Sequence, residues 1–114
     1  MLNEAKLALQ VTAEEYDAEI ASLLMAGAND LAIAGVNLPG TVTFTVGTNG
    51  AVTDASTLTD PLVMRALFTY AASRANWQTE ARAERFKADY DEQKKQLMTA
   101  TGYTHWDGET DEQT

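Results

Sequence analysis

Apolar residues recur along this chain in three different rhythms. Tyr16, Ile20, Leu23, Leu24, Gly27 and Leu31 are spaced so that one face of a helix with a period of about 3.6 residues collects them all. From Thr41 to Val46 apolar residues alternate strictly with threonine, which places Val42, Phe44 and Val46 on one side of a strand. From Leu62 to Ala75 they come nearly all round, at Leu62, Val63, Met64, Ala66, Leu67, Phe68, Tyr70, Ala71, Ala72 and Ala75. A helix apolar on every side is a buried one, so this segment is predicted to be the central element.

Starts and stops divide the chain between these runs. Leu2, Asn3 and Leu7 fit a hydrophobic staple around an Asn3 N-cap, opening a first helix that ends near Gln10. Val11 and Tyr16 form a second staple around a Thr12–Glu15 capping box, predicting a long helix from Ala13. Gly35 to Gly40, with Pro39 inside, closes it. Gly47, Thr48, Asn49 and Gly50 turn the strand back onto Ala51–Thr53, and Asp54 to Thr59 reads as loop. Asp60 followed by Pro61 is an N-cap with proline at the first helical position. A break is expected near Trp77 to Thr79, then a last helix from about Glu80 to Thr99 with Ala83, Phe86, Tyr90 and Leu97 inward, stopped by Gly102.

These elements predict a mainly α fold, a small bundle of about four helices with a short β-hairpin inserted between the second and third. The hairpin, at about 41–53, is too small to stand alone in water, so its Val/Phe face must rest on the helices or on a neighbouring subunit. With 114 residues, 45% of them apolar, the chain suits one folded domain over 1–106. Residues 107–114 are polar and acidic and are expected to form a disordered tail.

Charge changes the picture. Residues 1–60 carry eight carboxylates against Lys6 alone, whereas residues 61–106 carry five against seven basic side chains. A body acidic in one half and mildly basic in the other attracts a copy of itself head to tail, and heterologous contacts that close on rotation make rings. On this charge split the subunit contact is expected to set Glu14, Glu15, Asp17 and Glu19 against Arg74, Arg82, Arg85 and Lys87. The hairpin tip, Gly47 to Gly50, is a candidate for lining the lumen or for touching a partner. The formal net charge of −9 disfavours tight binding to DNA phosphates.

No catalytic constellation accompanies this charge pattern. The chain has no cysteine, which excludes disulfides and thiolate sites, and its one histidine, His105, has no candidate nucleophile near it in sequence. Carboxylate pairs such as Glu15 with Glu19 or Glu80 with Glu84 lack the Glu-x-x-His partners of a dimetal bundle. The Gly47–Gly50 glycines do not lead into a phosphate-binding helix. No enzyme activity, cofactor or metal is therefore expected. No apolar run approaches a membrane span, and residues 1–6 do not read as a secretory signal, so a cytoplasmic protein is expected.

The opening Met1-Leu2-Asn3-Glu4-Ala5-Lys6-Leu7-Ala8-Leu9, then Val11-Thr12 and Tyr16-Asp17-Ala18-Glu19-Ile20, resembles the head-tail connector (adaptor) proteins of long-tailed phages. Asp60-Pro61-Leu62, Arg65-Ala66, Thr69-Tyr70, Ala83-Glu84-Arg85-Phe86, Tyr90-Asp91 and Leu97 look like the third and fourth helices of the same family. The resemblance spans about 2–35 and 60–103, and at 41–53 a plain, shorter helix connection would fit it better. It implies a structural virion protein, a cyclic homo-oligomer, a dodecamer by analogy, that docks under the portal protein and extends the DNA exit channel. Such a ring would offer a platform to a tail completion or tail terminator protein, and would move from the host cytoplasm to the head-tail junction of the virion. The alternative reading is a small acidic helical binding module, a DNA mimic or an antagonist of a basic protein.

Overall fold

The computed structural model describes residues 1–12, 14–75 and 79–99. Among these it has helices α1 (Leu2–Leu9), α2 (Asp17–Ile33), α3 (Pro61–Arg74) and α4 (Glu80–Thr99), and strands β1 (Phe44–Val46) and β2 (Val52–Asp54). The predicted architecture is the observed one: a small helical bundle with a two-stranded antiparallel hairpin between its second and third helices. Helix α3 is the hub, packed on both α2 and α4, while α1 lies across α2 and α3 and both strands lean on α2.

Helix α2 buries Ile20, Ala21, Leu24, Gly27, Ala28 and Leu31, the face the sequence pattern draws. Opposite it, α3 buries Val63, Ala66, Leu67, Tyr70 and Ala71. Each fully buried Ile20, Leu24, Leu31, Val63 or Leu67 stabilises the fold by about 1.5–3 kcal/mol. Gly27 lets the two helices close: a Cβ there would lie 3.0 Å from Cδ1 of Tyr70 and 3.2 Å from Cδ2 of Leu67. The C-terminus of α2 is a Schellman motif. Val36 N–H donates to Leu31 C=O at 2.9 Å and Gly35 N–H to Ala32 C=O at 3.1 Å, with Gly35 at φ 100° where a side chain would be strained.

Helix starts depart from the local signals in two places. Helix α1 begins at Leu2 without a side-chain cap of its own, and Leu7 is 79% exposed, so no Leu2–Leu7 staple forms. Its first-turn donor is satisfied from 52 residues away, by Oδ2 of Asp54 accepting from Leu2 N–H at 2.9 Å. The second helix passes through one 3₁₀ turn, Glu14–Tyr16, and becomes regular only at Asp17, with no side-chain cap. The third start is as the sequence dictates: Asp60 Oδ2 accepts from Val63 N–H at 3.1 Å, with proline following the cap.

Strands β1 and β2 pair Phe44 with Asp54 and Val46 with Val52. Pairing continues past them, Ala55 N–H to Thr43 C=O and Thr57 N–H to Thr41 C=O, each at 2.9 Å. The expected loop after Asp54 thus begins as a continuation of the ladder, reinforced by Thr57 Oγ1 and Ser56 Oγ accepting from Thr41 and Thr43 N–H. Only the base of the hairpin's apolar face is covered. Phe44 is buried and Val42 half-buried, whereas Val46 is 48% exposed. At that base Gly40 abuts Leu58, where a Cβ would come within 2.7 Å of the Leu58 Cα.

Candidate functional site

Helix α3 has two apolar faces, one fully inside the core and one only partly covered. Val63, Ala66, Leu67, Tyr70 and Ala71 point inward, while Pro61, Met64, Phe68 and Ala72, spaced i, i+3, i+7 and i+11, share the other side. That second face floors a groove of about 490 Å³, walled by the end of α1 at Ala8 and Leu9 and by the start of α4 at Phe86. Helix α3 is central as expected but not buried all round: Leu62 is 56% exposed and Met64 and Phe68 are only half-buried. Exposed Leu7 and Leu62 adjoin the walls, as the helical neighbours of Glu4 and Arg65 at i+3 and i−3.

The rim of the groove is basic although the chain is acidic. Arg65 and Arg82 both line it and both are exposed, and neither forms an ion pair among the described residues. The Arg82 guanidinium stands 5.8 Å from the centre of the Phe86 ring, at the apolar floor. Glu4, on the opposite wall, has its charge answered by the Met1 ammonium at 2.9 Å. This contact holds the Glu4 carboxyl below its ordinary range. Apolar floor and net positive rim together suit an occupant with an aromatic or aliphatic anchor followed by carboxylates.

The residues expected at a subunit contact are distributed as follows. Glu15 is exposed at the 3₁₀ turn, and Glu14 lies in the same turn. Asp17 faces the body and pairs with Lys6 at 2.7 Å, and Glu19 is half-buried. Arg82 and Arg85 are both exposed, three residues apart on one side of α4. Lys87 is rotated about 140° from Arg82, toward the other flank. Arg74 stands at the end of α3 with its guanidinium 4.6 Å from the centre of the Tyr70 ring. The four basic residues thus occupy several faces and only Arg82 and Arg85 neighbour one another.

The hairpin tip is exposed throughout, Gly47, Thr48, Asn49 and Gly50 alike. Its shape is set locally, by Gly47 N–H to Ala51 C=O at 2.8 Å, Gly50 N–H to Gly47 C=O at 3.0 Å and Asn49 Oδ1 accepting from Ala51 N–H. His105, the break at Trp77 and the 107–114 tail lie outside the described residues.

One polar node was not legible in the sequence. Tyr90 O–H donates to Oδ2 of Asp30 at 2.6 Å and Lys94 Nζ to the same oxygen at 3.2 Å, joining α2 to α4. The Tyr70 and Tyr90 rings meet edge-on with centroids 5.1 Å apart, which ties in α3. Burial penalises the Asp30 carboxylate, but the Tyr90 and Lys94 hydrogen bonds outweigh it and hold the group below its ordinary range. Burial and the same carboxylate push the Tyr90 phenol far above its own. Asp30 is the lone acid in the apolar run from Ile20 to Val36, and that isolation is the signal that could have singled it out.

Among the described residues no three His, Asp or Glu side chains come together as a metal ligand set, and no helix is long and apolar enough to cross a membrane. Compared with family models, curated proteins and solved structures, the chain matches none.

Proposed function

We propose that this chain is a structural assembly protein, a head-tail connector of a long-tailed phage whose copies close into a ring under the portal protein. In this reading the ring extends the DNA exit channel and carries the tail completion or terminator protein on its other side. The observation that supports it best is the partly covered second face of α3, an apolar groove with a basic rim on an otherwise acidic chain. A monomer gains nothing by leaving that face open, whereas a subunit of a head-to-tail ring needs one surface to receive and another to insert. The sequence resemblance of residues 2–35 and 60–103 to connector proteins supports the same reading.

Acidity suits a conduit. With a net charge of −9, little counterion release is available to hold DNA, and phosphates are repelled over a Debye length of about 8–10 Å. The protein acts by position rather than by chemistry, with no catalytic residue or cofactor assigned. The acidic-mimic alternative needs a free row of carboxylates. Asp17, Asp30, Asp54 and Asp60 are instead held by Lys6, by Tyr90 and Lys94, by Leu2 N–H and by the α3 cap, and the exposed carboxylates of α4 alternate with Arg82, Arg85, Lys87, Lys94 and Lys95.

Native mass spectrometry and negative-stain microscopy test the reading, on the purified protein alone and mixed with portal rings. Annular oligomers, alone or nucleated by the portal, are the expected result, and Arg82→Glu combined with Arg85→Glu should reduce them. A monomer or dimer under both conditions, across the accessible concentration range, overturns it.

A further inference from the structure

Several features of the groove limit what could fill it. Its floor is Met64 and Phe68, Phe86 walls it, its rim carries Arg65 and Arg82, and the described residues cover it only in part. The occupant must therefore bring an apolar anchor with negative charge beside it and no interleaved basic residues. Inside the body, five of the eight carboxylates in residues 1–60 are already held, Glu4, Asp17, Asp30, Asp54 and Asp60, and the exposed carboxylates of α4 are interleaved with Arg82, Arg85, Lys87, Lys94 and Lys95.

The chain itself contains a segment of the required chemistry. Tyr103 and Trp106 are followed by Asp107, Glu109, Asp111 and Glu112 with no basic residue among them. Elsewhere, Tyr90-Asp91-Glu92 is followed after Gln93 by Lys94 and Lys95, and Tyr16-Asp17 sits on Lys6. We propose that the groove of one copy receives residues 103–112 of a second copy, with Trp106 seated against Phe68 and Phe86 and the following carboxylates against Arg65 and Arg82.

Reach argues for a second copy over the same one. The groove touches α4 near Arg82 and Phe86, and residue 100 continues from the opposite end of that helix, at Thr99. The thirteen residues from Phe86 to Thr99 rise about 20 Å, and residues 100–106, fully extended, span at most about 25 Å. Folding back would draw the segment nearly taut along its own helix. In a neighbour's groove it need not retrace that path. Such an exchange is heterologous, tail of one copy into groove of the next, the contact type that closes into a ring. The inference rests on the ring reading and supplies its contact.

The test uses the full chain carrying Trp77→Phe, so that Trp106 is the only tryptophan. Its emission maximum should move to shorter wavelength as concentration rises, and Arg82→Glu should raise the midpoint about tenfold. As a measurement independent of that variant, a fluorescein-labelled peptide of residues 100–114 is titrated with the unmodified chain. Saturable anisotropy, weakened about tenfold by Arg82→Glu in the chain and abolished by Trp106→Ala in the peptide, is the result expected. Solvent-exposed Trp106 emission at every concentration, with no peptide binding, overturns the docking. Short-wavelength emission independent of concentration assigns the segment to its own groove and overturns the exchange between copies. Light scattering on the same samples separates the two ideas: rings with a solvent-exposed Trp106 retain the ring and remove the docking. Docking that saturates in a dimer does the reverse.

Discussion

Removing the Tyr90 hydroxyl tests the fold where α2, α3 and α4 meet. The phenol donates to Asp30 at 2.6 Å, a charge-assisted bond of a kind worth about 1.5–3 kcal/mol when its surroundings are dry. Here the Asp30 side chain is 40% exposed, so water replaces part of what is lost. Tyr90→Phe keeps the ring contact with Tyr70 and should cost about 1 kcal/mol. Asp30→Ala should cost more, about 2 kcal/mol, because it strands the O–H of a buried residue as well as releasing Lys94. In the double variant no phenol remains to be stranded, so the total should be about 2 kcal/mol and the coupling about 1 kcal/mol.

Urea denaturation followed by far-UV circular dichroism at neutral pH measures all four corners of this cycle. Each kcal/mol should also appear as a fall of about 4 °C in Tm. A coupling below about 0.3 kcal/mol, the level of independent sites, would refute the node as a stabilising unit. The pH dependence follows in sign. The Asp30 carboxyl is depressed in the folded state, so its contribution is present above its unfolded pKa near 4 and is lost as pH falls below that. The Tyr90 phenol is raised, so its contribution is full below its unfolded pKa near 10 and declines as pH rises beyond it.

Three further outcomes follow from other contacts. Asp54, whose hydrogen bonds from Leu2 N–H and Ser56 hold its pKa at about 2, should lose its stabilisation as pH falls from about 4 to about 2. With solvent screening this amounts to about 1 kcal/mol, read as a smaller acid-induced fall in urea midpoint for Asp54→Asn than for the parent chain. Gly40→Ala would place a Cβ 2.7 Å from the Leu58 Cα, a backbone atom that cannot swing aside, and should destabilise by about 2 kcal/mol in thermal melts. Gly27→Val meets Tyr70 and Leu67 at the α2–α3 crossing and should cost about 1–3 kcal/mol, while Gly27→Ala should stay within about 1 kcal/mol of the parent because gained helix propensity offsets the crowding.

Where a signal is local, the sequence was a sufficient guide. Asp60-Pro61 caps α3 with partners three residues apart, Gly35 ends α2 within its own last turn, and of the expected inner face of α4 Tyr90 and Leu97 are buried while Phe86 lines the groove. The readings that differ are those in which a distant group substitutes for a local one. Asn3 does not cap α1 because Asp54 of the hairpin accepts from Leu2 N–H and lets the helix begin earlier. Val46 is not covered because the hairpin leans on α2 only at its base, a matter of docking angle that strict alternation cannot encode. The groove was not legible: an all-round apolar α3 reads as buried on every side, and that one side is only partly covered depends on where α1 and α4 lie.

The charge asymmetry takes on a different meaning once the helices are placed. In the sequence, eight carboxylates against one lysine read as an acidic face offered to a partner. In the fold most of them are internal wiring. Glu4 and Asp54 hold the start of α1, Asp17 holds Lys6, Asp30 ties α2 to α4, and Asp60 caps α3. Groups already paired add little to an intermolecular contact, since leaving one partner for another gains only the difference. The side chains of the second half are less committed, and among the described residues Arg65, Arg82, Arg85 and Lys87 form no ion pair. A subunit contact drawn from charge alone would set these bases against α2. Drawn from the groove, it sets Arg65 and Arg82 against the uninterrupted carboxylates of residues 107–112. The two versions separate by salt and by deletion: a contact at α2 survives removal of residues 100–114, and a contact through the groove does not.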